Sequence, residues 1–272
     1  MKQLTLVPDG GLSNRILAIT SAISFAKEYG MQLSVIWFKD WGMGAKFHDL
    51  FTLLPNIENV KIKDAGFMDV FKYAKPIKSN LFLSKLYQKI KFDAVYFWQK
   101  EQVTVKQWYD SNINANKYYI FHCHKFHDNC NLLNVFSPVD SIQKRIDEQS
   151  KLLFSNTIGL HIRRTDFKAS IKHSPLQAFI EIIQAEIVAD SEVTFYVASD
   201  SREEKEKLVN LFGNHIIVVE NILKRNTKAG VIDALIELYT LASTKKIYGS
   251  YQSSYSLLSS EINGKPLEIL KK

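Results

Sequence analysis

Residues 157–166 read TIGLHIRRTD, and the fold depends on how this run is taken. Thr157 to Ile162 is a short apolar stretch that fits a strand buried on both faces. It runs directly into Arg163, Arg164 and Asp166. In an open α/β sheet, ligands bind where strand C-termini open into loops. Paired guanidinium groups at such a position suit a phosphate, because each offers a planar fork of donors. The same residues also fit a surface ion pair between an arginine and Asp166. This stretch alone leaves both readings open.

Outward from this run the pattern is regular. A helix is expected over Pro175–Val188, a strand over Val193–Ala198, and a helix over Arg202–Phe212 closed by Gly213. Strand Ile216–Val219, helix Val231–Ala242, strand Lys245–Gly249 and helix Ser253–Ile262 follow, with an edge strand at Leu267–Leu270. Strands alternating with helices of this length imply a parallel sheet. Towards the N-terminus, Leu4–Val7 reads as a strand, Asn14–Tyr29 as a helix and Gln32–Phe38 as a second strand. Leu12, Ile16, Ile19, Ile23 and Ala26 recur at helical spacing and mark a face that packs on a sheet. Between these halves Phe47–Leu54 reads as a short helix and Tyr118–Phe121 as a strand. Ser137–Leu153 reads as a helix with Ser137 as cap and Pro138 in its first turn. The fold class is α/β, in two domains, 1–150 and 151–272, hinged at that last helix.

A chain of 272 residues, 46% hydrophobic and 23% charged, is a core-forming globular sequence. Its net charge of +7 suits acidic partners: nucleotides, nucleic acid or an anionic membrane surface. Two cysteines, Cys123 and Cys130, form no disulfide framework and fit a reducing compartment. The first residues fit a strand and not a secretion signal. No run approaches the ~20 apolar residues of a membrane span, so the expected location is the cytoplasm, with any membrane contact peripheral, at the inner face. Lys72, Lys75, Lys78, Lys85, Lys89 and Lys91 alternate with Phe, Tyr and Leu. Such a run is either a solvated helix face or a surface for an anionic acceptor or membrane.

Further turns follow other strands. Gly10-Gly11-Leu12-Ser13-Asn14-Arg15 lets backbone approach a ligand at a helix N-terminus, or is simply a capped tight turn. It is neither the spaced-glycine dinucleotide fingerprint nor a P-loop. In Ala198-Ser199-Asp200-Ser201, Asp200 or Ser201 caps the next helix or joins a site on the sheet edge. Gly249-Ser250-Tyr251-Gln252-Ser253-Ser254 offers hydroxyls and amides to a phosphate, or serine capping. Asp233 either accepts from a guanine edge or stabilises a helix N-terminus. His122, Cys123, His124, His127 and Cys130 are metal-ligand types, but their spacing fits no known finger or ribbon and a plain polar loop is preferred.

With these residues in place, the chain resembles the fucosyltransferase superfamily: the α1,6-fucosyltransferases, bacterial nodulation fucosyltransferases and protein O-fucosyltransferases. His161-Ile-Arg163-Arg164-Thr-Asp166 is similar to that group's His-x-Arg-Arg-x-Asp motif. Ala198-Ser199-Asp200-Ser201 and the block from Gly230 to Ser254 support it. Gly10-Gly11-Leu-Ser-Asn14-Arg15 resembles the Gly-Gly-x-x-Asn element of the protein O-fucosyltransferases. The resemblance implies a GT-B-like pair of Rossmann-like domains whose parallel sheets face a cleft, acceptor side first and nucleotide-sugar side second. It implies an inverting, metal-independent transferase that takes fucose from GDP-fucose to a glycan or glycolipid hydroxyl, with no cofactor. Arg163 is then the catalytic residue at the β-phosphate, with Arg164 on the phosphates or bracing the loop. Asp166 orients an arginine, and His161 and Asp233 meet the guanosine. Ser253 and Ser254 meet the phosphates, Asn14 and Arg15 face sugar or acceptor, and Asp200 joins the donor site. The glutamate that follows the motif in the α1,6 enzymes has no counterpart here, which leaves His173, Asp9 or Asp40 as candidate bases, or an acceptor hydroxyl that loses its proton late with little help; the base is unassigned. Trp37, Trp41 and Trp98 are candidate sugar platforms. No nucleic acid is expected as partner. The rival readings are another nucleotide-sugar donor on the same fold and a non-catalytic binder of anionic polymers.

Overall fold

The computed structural model describes residues 1–73, 82–128, 132–165, 167–222 and 224–272. Lys75, Lys78, Cys130 and Asp166 lie outside the described residues. The chain divides into two compact units, one of Met1–Val139 with Arg225–Val231, the other of Asp140–Lys224 with Ile232–Lys272. The division falls at 139/140, where the sequence reading places it at 150.

In the first unit the order is β1 (Lys2–Pro8), α1 (Leu12–Glu28), β2 (Met31–Trp37), β3 (Phe51–Leu53), β4 (Val60–Asp64), α2 (Phe82–Lys91), β5 (Ala94–Phe97), α3 (Val105–Ser111), β6 (Lys117–His122) and β7 (Phe136–Pro138). Five of these strands form one sheet, β4-β2-β1-β6-β5, with every pairing parallel. Helix α1 is buried nearly all round, including Leu12, Ile16, Ile19 and Ala26, as a helix lodged in a core must be. Gly10 enters the turn before it at φ +83°, a region in which a Cβ is costly.

Two expectations about the middle of the chain need correction. Phe47–Leu54 is not a helix: a 3-10 turn at Phe47–Asp49 leads into β3, which pairs antiparallel with β7. The helix expected from Ser137 starts at Asp140, because Phe136–Pro138 is used as strand β7. Side-chain packing explains both: Phe47, Phe51 and Phe136 join rings at 5.4–5.6 Å and are buried together. Such contacts join residues ~90 positions apart, and short-range periodicity does not register them.

The second unit holds α4 (Asp140–Ser150), β8 (Ile158–Ile162), α5 (Lys168–His173), α6 (Leu176–Ala189), β9 (Phe195–Ser199), α7 (Arg202–Phe212) and β10 (Ile216–Ile217). After them come α8 (Lys228–Ala242, its first residues counted with the first unit), β11 (Ile247–Gly249), α9 (Ser254–Asn263) and β12 (Leu267–Ile269). The sheet order is β10-β9-β8-β11-β12, again all parallel.

Strand β8 is buried along its whole length, and its alternation sorts side chains between two layers. Ile158, Leu160 and Ile162 enter one core with Phe179, Ile183, Phe195, Val197 and Leu208. Gly159 and His161 therefore face the opposite layer. A Cβ at Gly159 would lie 2.5 Å from Leu241 and 2.6 Å from the Thr244 hydroxyl, so the end of α8 rests directly on the strand. Each large apolar side chain so buried contributes about 1.5–3 kcal/mol. In both sheets the first strand is central and the chain reverses direction beside it, so the loops after β1 and β6, and after β8 and β11, open at a switch point.

Candidate active site

Peptide groups at the end of β8 run out of strand partners, and side chains from both neighbouring strands replace them. On the β11 side, Ser250 Oγ donates to His161 O and accepts from Arg163 N, each at 3.0 Å. On the β9 side, Ser199 Oγ donates to Ile162 O at 2.7 Å. Asp200 accepts from Arg164 N and from the Thr165 hydroxyl, both at 2.7 Å, and pairs with Arg163 Nη1 at 2.7 Å. The twin-arginine turn is thus clamped from two sides. Its sequence shows Arg163 and Arg164 as equals; the structure does not.

Arg164 is buried. Its Nε pairs with Glu204 at 3.1 Å, and Nη1 donates to Arg163 O and Ser174 O at 2.9 and 3.0 Å. It braces the loop, the second of the roles the resemblance allows it. Arg163 keeps 29% of its side-chain surface in solvent, at the mouth of the switch point, with Asp200 holding one side of its guanidinium. Asp200 therefore works through the turn and through Arg163. Asp166 is outside the described residues.

His161 points into the layer under α9. Its Nδ1 lies 2.8 Å from Ser256 Oγ and 3.3 Å from Ser253 Oγ, and its ring stacks on Tyr255 at 4.7 Å. Burial pushes its pKa well down, the neighbouring arginines push the same way, and Asp200 opposes them, so the ring is neutral. The contact exists because Gly249 lets α9 come close: a Cβ there would lie 2.6 Å from Ser256 Oγ. Ser253 is the N-cap of α9, and Ser254 is its first residue. Gln252 just before it has φ +52°, a strained value for a side-chain-bearing residue and a frequent mark of ligand-binding turns. The first amides of α9 thus lie at the same sheet edge as Arg163, with the partial positive charge of a helix N-terminus.

Asp233 is committed elsewhere. One oxygen pairs with Arg145 at 2.7 Å and the other accepts from Ile222 N at 2.9 Å, tying α4 to the segment after β10. A guanine edge would have to share it. The carboxylate that the sequence reading overlooks is Glu237, buried four residues further along α8. It pairs with Lys205 at 2.7 Å and accepts from Asn221 at 2.9 Å. Burial raises its pKa and Lys205 counters the shift. Only the spacing Asp233-x-x-x-Glu237, one helical turn, hinted at it. A cavity of about 450 Å³ opens between α7 and residues 218–221, lined by Arg202, Lys205, Val209, Val218 and Asn221. Arg163, His161 and Asp233 are not among its lining residues.

In the first unit, Arg15 does not face a ligand. Only 1% of its side chain is exposed; Nε donates to Gly10 O at 2.8 Å, Nη1 to Phe38 O, and Nη2 pairs with buried Asp40 at 2.7 Å. This corrects its expected place at the sugar or acceptor. The guanidinium satisfies carbonyls at the ends of β1 and β2, and Asp40 is spent on it. Asn14 lies against the same turn, with Nδ2 2.9 Å from where a Gly10 Cβ would stand. Asp9, half-buried, accepts from Gly10 N at 2.7 Å. Trp37 is core, with Nε1 donating to Ala45 O at 3.0 Å. Trp41 is exposed with Arg225 over its ring, and Trp98 meets the His124 ring at 5.0 Å. His122 is engaged at Nδ1 by the His124 backbone and His127 pairs with Glu28, both at hydrogen-bond distance.

No family model matches the chain, and no curated protein sequence matches it. Solved structures do. NodZ α-1,6-fucosyltransferase soaked with GDP-fucose aligns at TM-score 0.64 and 17% identity, over 96% of this chain and 92% of that one. A NodZ fucosyltransferase from Bradyrhizobium aligns similarly, at TM-score 0.61 and 16% identity over 95% and 92%. A single-residue mutant of Arabidopsis thaliana FUT1 in complex with GDP aligns at 0.66 and 15%, over 98% and 70%. POFUT1 in complex with GDP-fucose aligns at 0.57 and 10%, over 99% and 97%. The chain has the GT-B-like α/β fold of these fucosyltransferases, as its twin-arginine motif and the order of its strand-end turns lead one to expect.

Proposed function

We propose that the protein is an inverting glycosyltransferase that transfers fucose from GDP-fucose to the hydroxyl of a glycan or glycolipid. The observation that carries this reading is Arg163: a partly exposed guanidinium at the switch point of β8 and β11, oriented by Asp200, beside the first amides of α9. Solved neighbours bound to GDP or GDP-fucose support the choice of donor.

In this reading the diphosphate sits between Arg163 and the α9 N-terminus. As the glycosidic bond lengthens, negative charge grows on the β-phosphate, and a cation already fixed there lowers the barrier. Loss of one such preorganised donor costs ~10²–10³ in rate. Arg164, Asp200 and Ser250 hold the turn, and neutral His161 anchors α9 through Ser256 and Ser253. The proposal includes a cytoplasmic enzyme that needs no added cofactor.

The test is incubation with GDP-fucose, first with water and then with a glycan library, while released GDP is measured. Calorimetry with GDP, UDP and CDP is the companion experiment. Release of GDP that depends on an acceptor, and preference for GDP, support the assignment; preference for UDP or CDP reassigns the donor. Steeply salt-dependent binding to oligonucleotides, with no preference for GDP, would replace the enzyme by a polyanion binder.

A further inference from the structure

Helix α2 packs against its own unit the wrong way round. The side chains it buries are polar, Ser84 and Gln88, and Gln88 Nε2 has no hydrogen-bond partner among the described residues. Its large apolar residues face solvent: Phe82 is 76% exposed and Ile90 78%, with Leu83 and Leu86 between them. At about 100° per residue these side chains fall within one arc of about 100°. Lys85 and Lys89 border that arc on one side, and Lys91 lies beyond Tyr87 on the other; all three lysines are exposed. The neighbouring 3-10 turn at Phe67–Phe71, which touches α2, exposes Phe67 at 79% together with Met68. Tyr87 is the anchor, meeting the rings of Tyr73 and Phe92 at 6.0 and 6.5 Å.

An ordinary surface helix gains its stability by turning the apolar stripe inward. This one leaves the stripe in water and buries the polar side, so the apolar face lacks its natural medium. A short helix with an apolar arc, flanking lysines and an aromatic at its start is the pattern that lies in the plane of a bilayer interface. The lysines settle which interface: basic side chains beside an apolar arc complement anionic headgroups. We propose that α2, with Phe67 and Met68, docks the protein on an anionic lipid surface, inserting Phe82, Leu83, Leu86 and Ile90 among the acyl chains. The inference stands apart from the donor assignment and survives its failure.

The experiment is co-sedimentation of the full chain with phosphatidylcholine vesicles and with mixed phosphatidylcholine–phosphatidylglycerol vesicles, with analytical ultracentrifugation of the protein alone. The expected result is binding to the mixed vesicles and little to the neutral ones. Leu86→Glu with Ile90→Glu abolishes that binding and leaves circular dichroism and thermal unfolding unchanged, because both side chains are exposed. Lys85→Gln with Lys89→Gln weakens it by roughly 25-fold, about fivefold per charge. The proposal is overturned if the protein ignores both vesicle types. It is equally overturned if the glutamate pair unfolds the protein, or abolishes a self-association seen without lipid, since the face would then belong to protein.

Discussion

The turn after β1 and the turn after β8 occupy the same place in their sheets. Each leaves a central parallel strand at a switch point, and each has an arginine close by: Arg15 in the first turn of α1, just past the loop, and Arg163 at the start of the loop after β8. Arg15 is enclosed, its nitrogens taken by Gly10 O, Phe38 O and Asp40. Arg163 stands at the surface of its turn, held on one side by Asp200, while Arg164 takes the inward role that Arg15 plays elsewhere. A cation at a strand end is therefore not in itself a site. When its donors close the turn and it is fully enclosed, it is a structural brace; when a second arginine takes the enclosed place, the first keeps part of its guanidinium at the solvent edge.

Exchange of consequences between the two arginines is the sharpest way to break this contrast, and it carries the largest effects. Arg15→Ala leaves Asp40 as a buried, unpaired charge and should cost about 3–5 kcal/mol, measured by urea unfolding. Arg163→Ala removes a partly exposed ion pair with Asp200 and should cost only about 1 kcal/mol of stability, while acceptor-dependent GDP release falls ~10²–10³-fold. A stable Arg15→Ala, or an unstable Arg163→Ala, would erase the distinction. Asp200→Asn comes next: with the guanidinium unpinned and the turn loosened, turnover should fall about 10²-fold at nearly normal stability.

Gly249→Ala tests how tightly the second unit's edge is built. The new methyl meets Ser256 Cβ at 2.7 Å, and the strain should cost about 1–3 kcal/mol and weaken GDP binding by displacing the start of α9. A further effect appears only in acid. Each unit buries a neutral histidine at a strand end, His122 in β6 and His161 in β8. In the unfolded chain an imidazole takes up its proton near 6.5; burial holds His122 neutral down to about 4 and pushes His161 down as well. Below 6.5 the unfolded state therefore binds more protons, so stability is full above that pH and declines as pH falls towards 4. His122→Asn should flatten the slope of stability against pH between 6.5 and 4, measured by unfolding at stepped pH.

Much of the second unit was legible because its signals are local. A fully apolar strand, helices of ordinary length and a polar turn after each strand can be read within windows of a dozen residues. The site's two-sided clamp was not, since Ser250 and Ser199 look like any serines that follow a strand. Their role exists only once β9, β8 and β11 lie side by side. The asymmetry of Arg163 and Arg164 was invisible for the same reason: it rests on Glu204 and the Ser174 carbonyl, 40 and 10 residues away. From sequence Asp233 reads as lying near a helix start, yet it is the sixth residue of α8 and its partners Arg145 and Ile222 lie 88 and 11 residues away. Strands β3 and β7 failed to show because an antiparallel pair of three-residue strands has no period long enough to detect. The lysine run did announce an amphipathic helix, but not that its apolar side faces out.

Calorimetric titration of GDP and of guanosine into the parent and Arg163→Ala proteins tests the central claim most directly. If Arg163 grips the diphosphate, the substitution lowers affinity for GDP by roughly 10- to 100-fold, the worth of a hydrogen bond to a charged group, and leaves guanosine unaffected. Equal affinity of the two proteins for GDP would contradict the account.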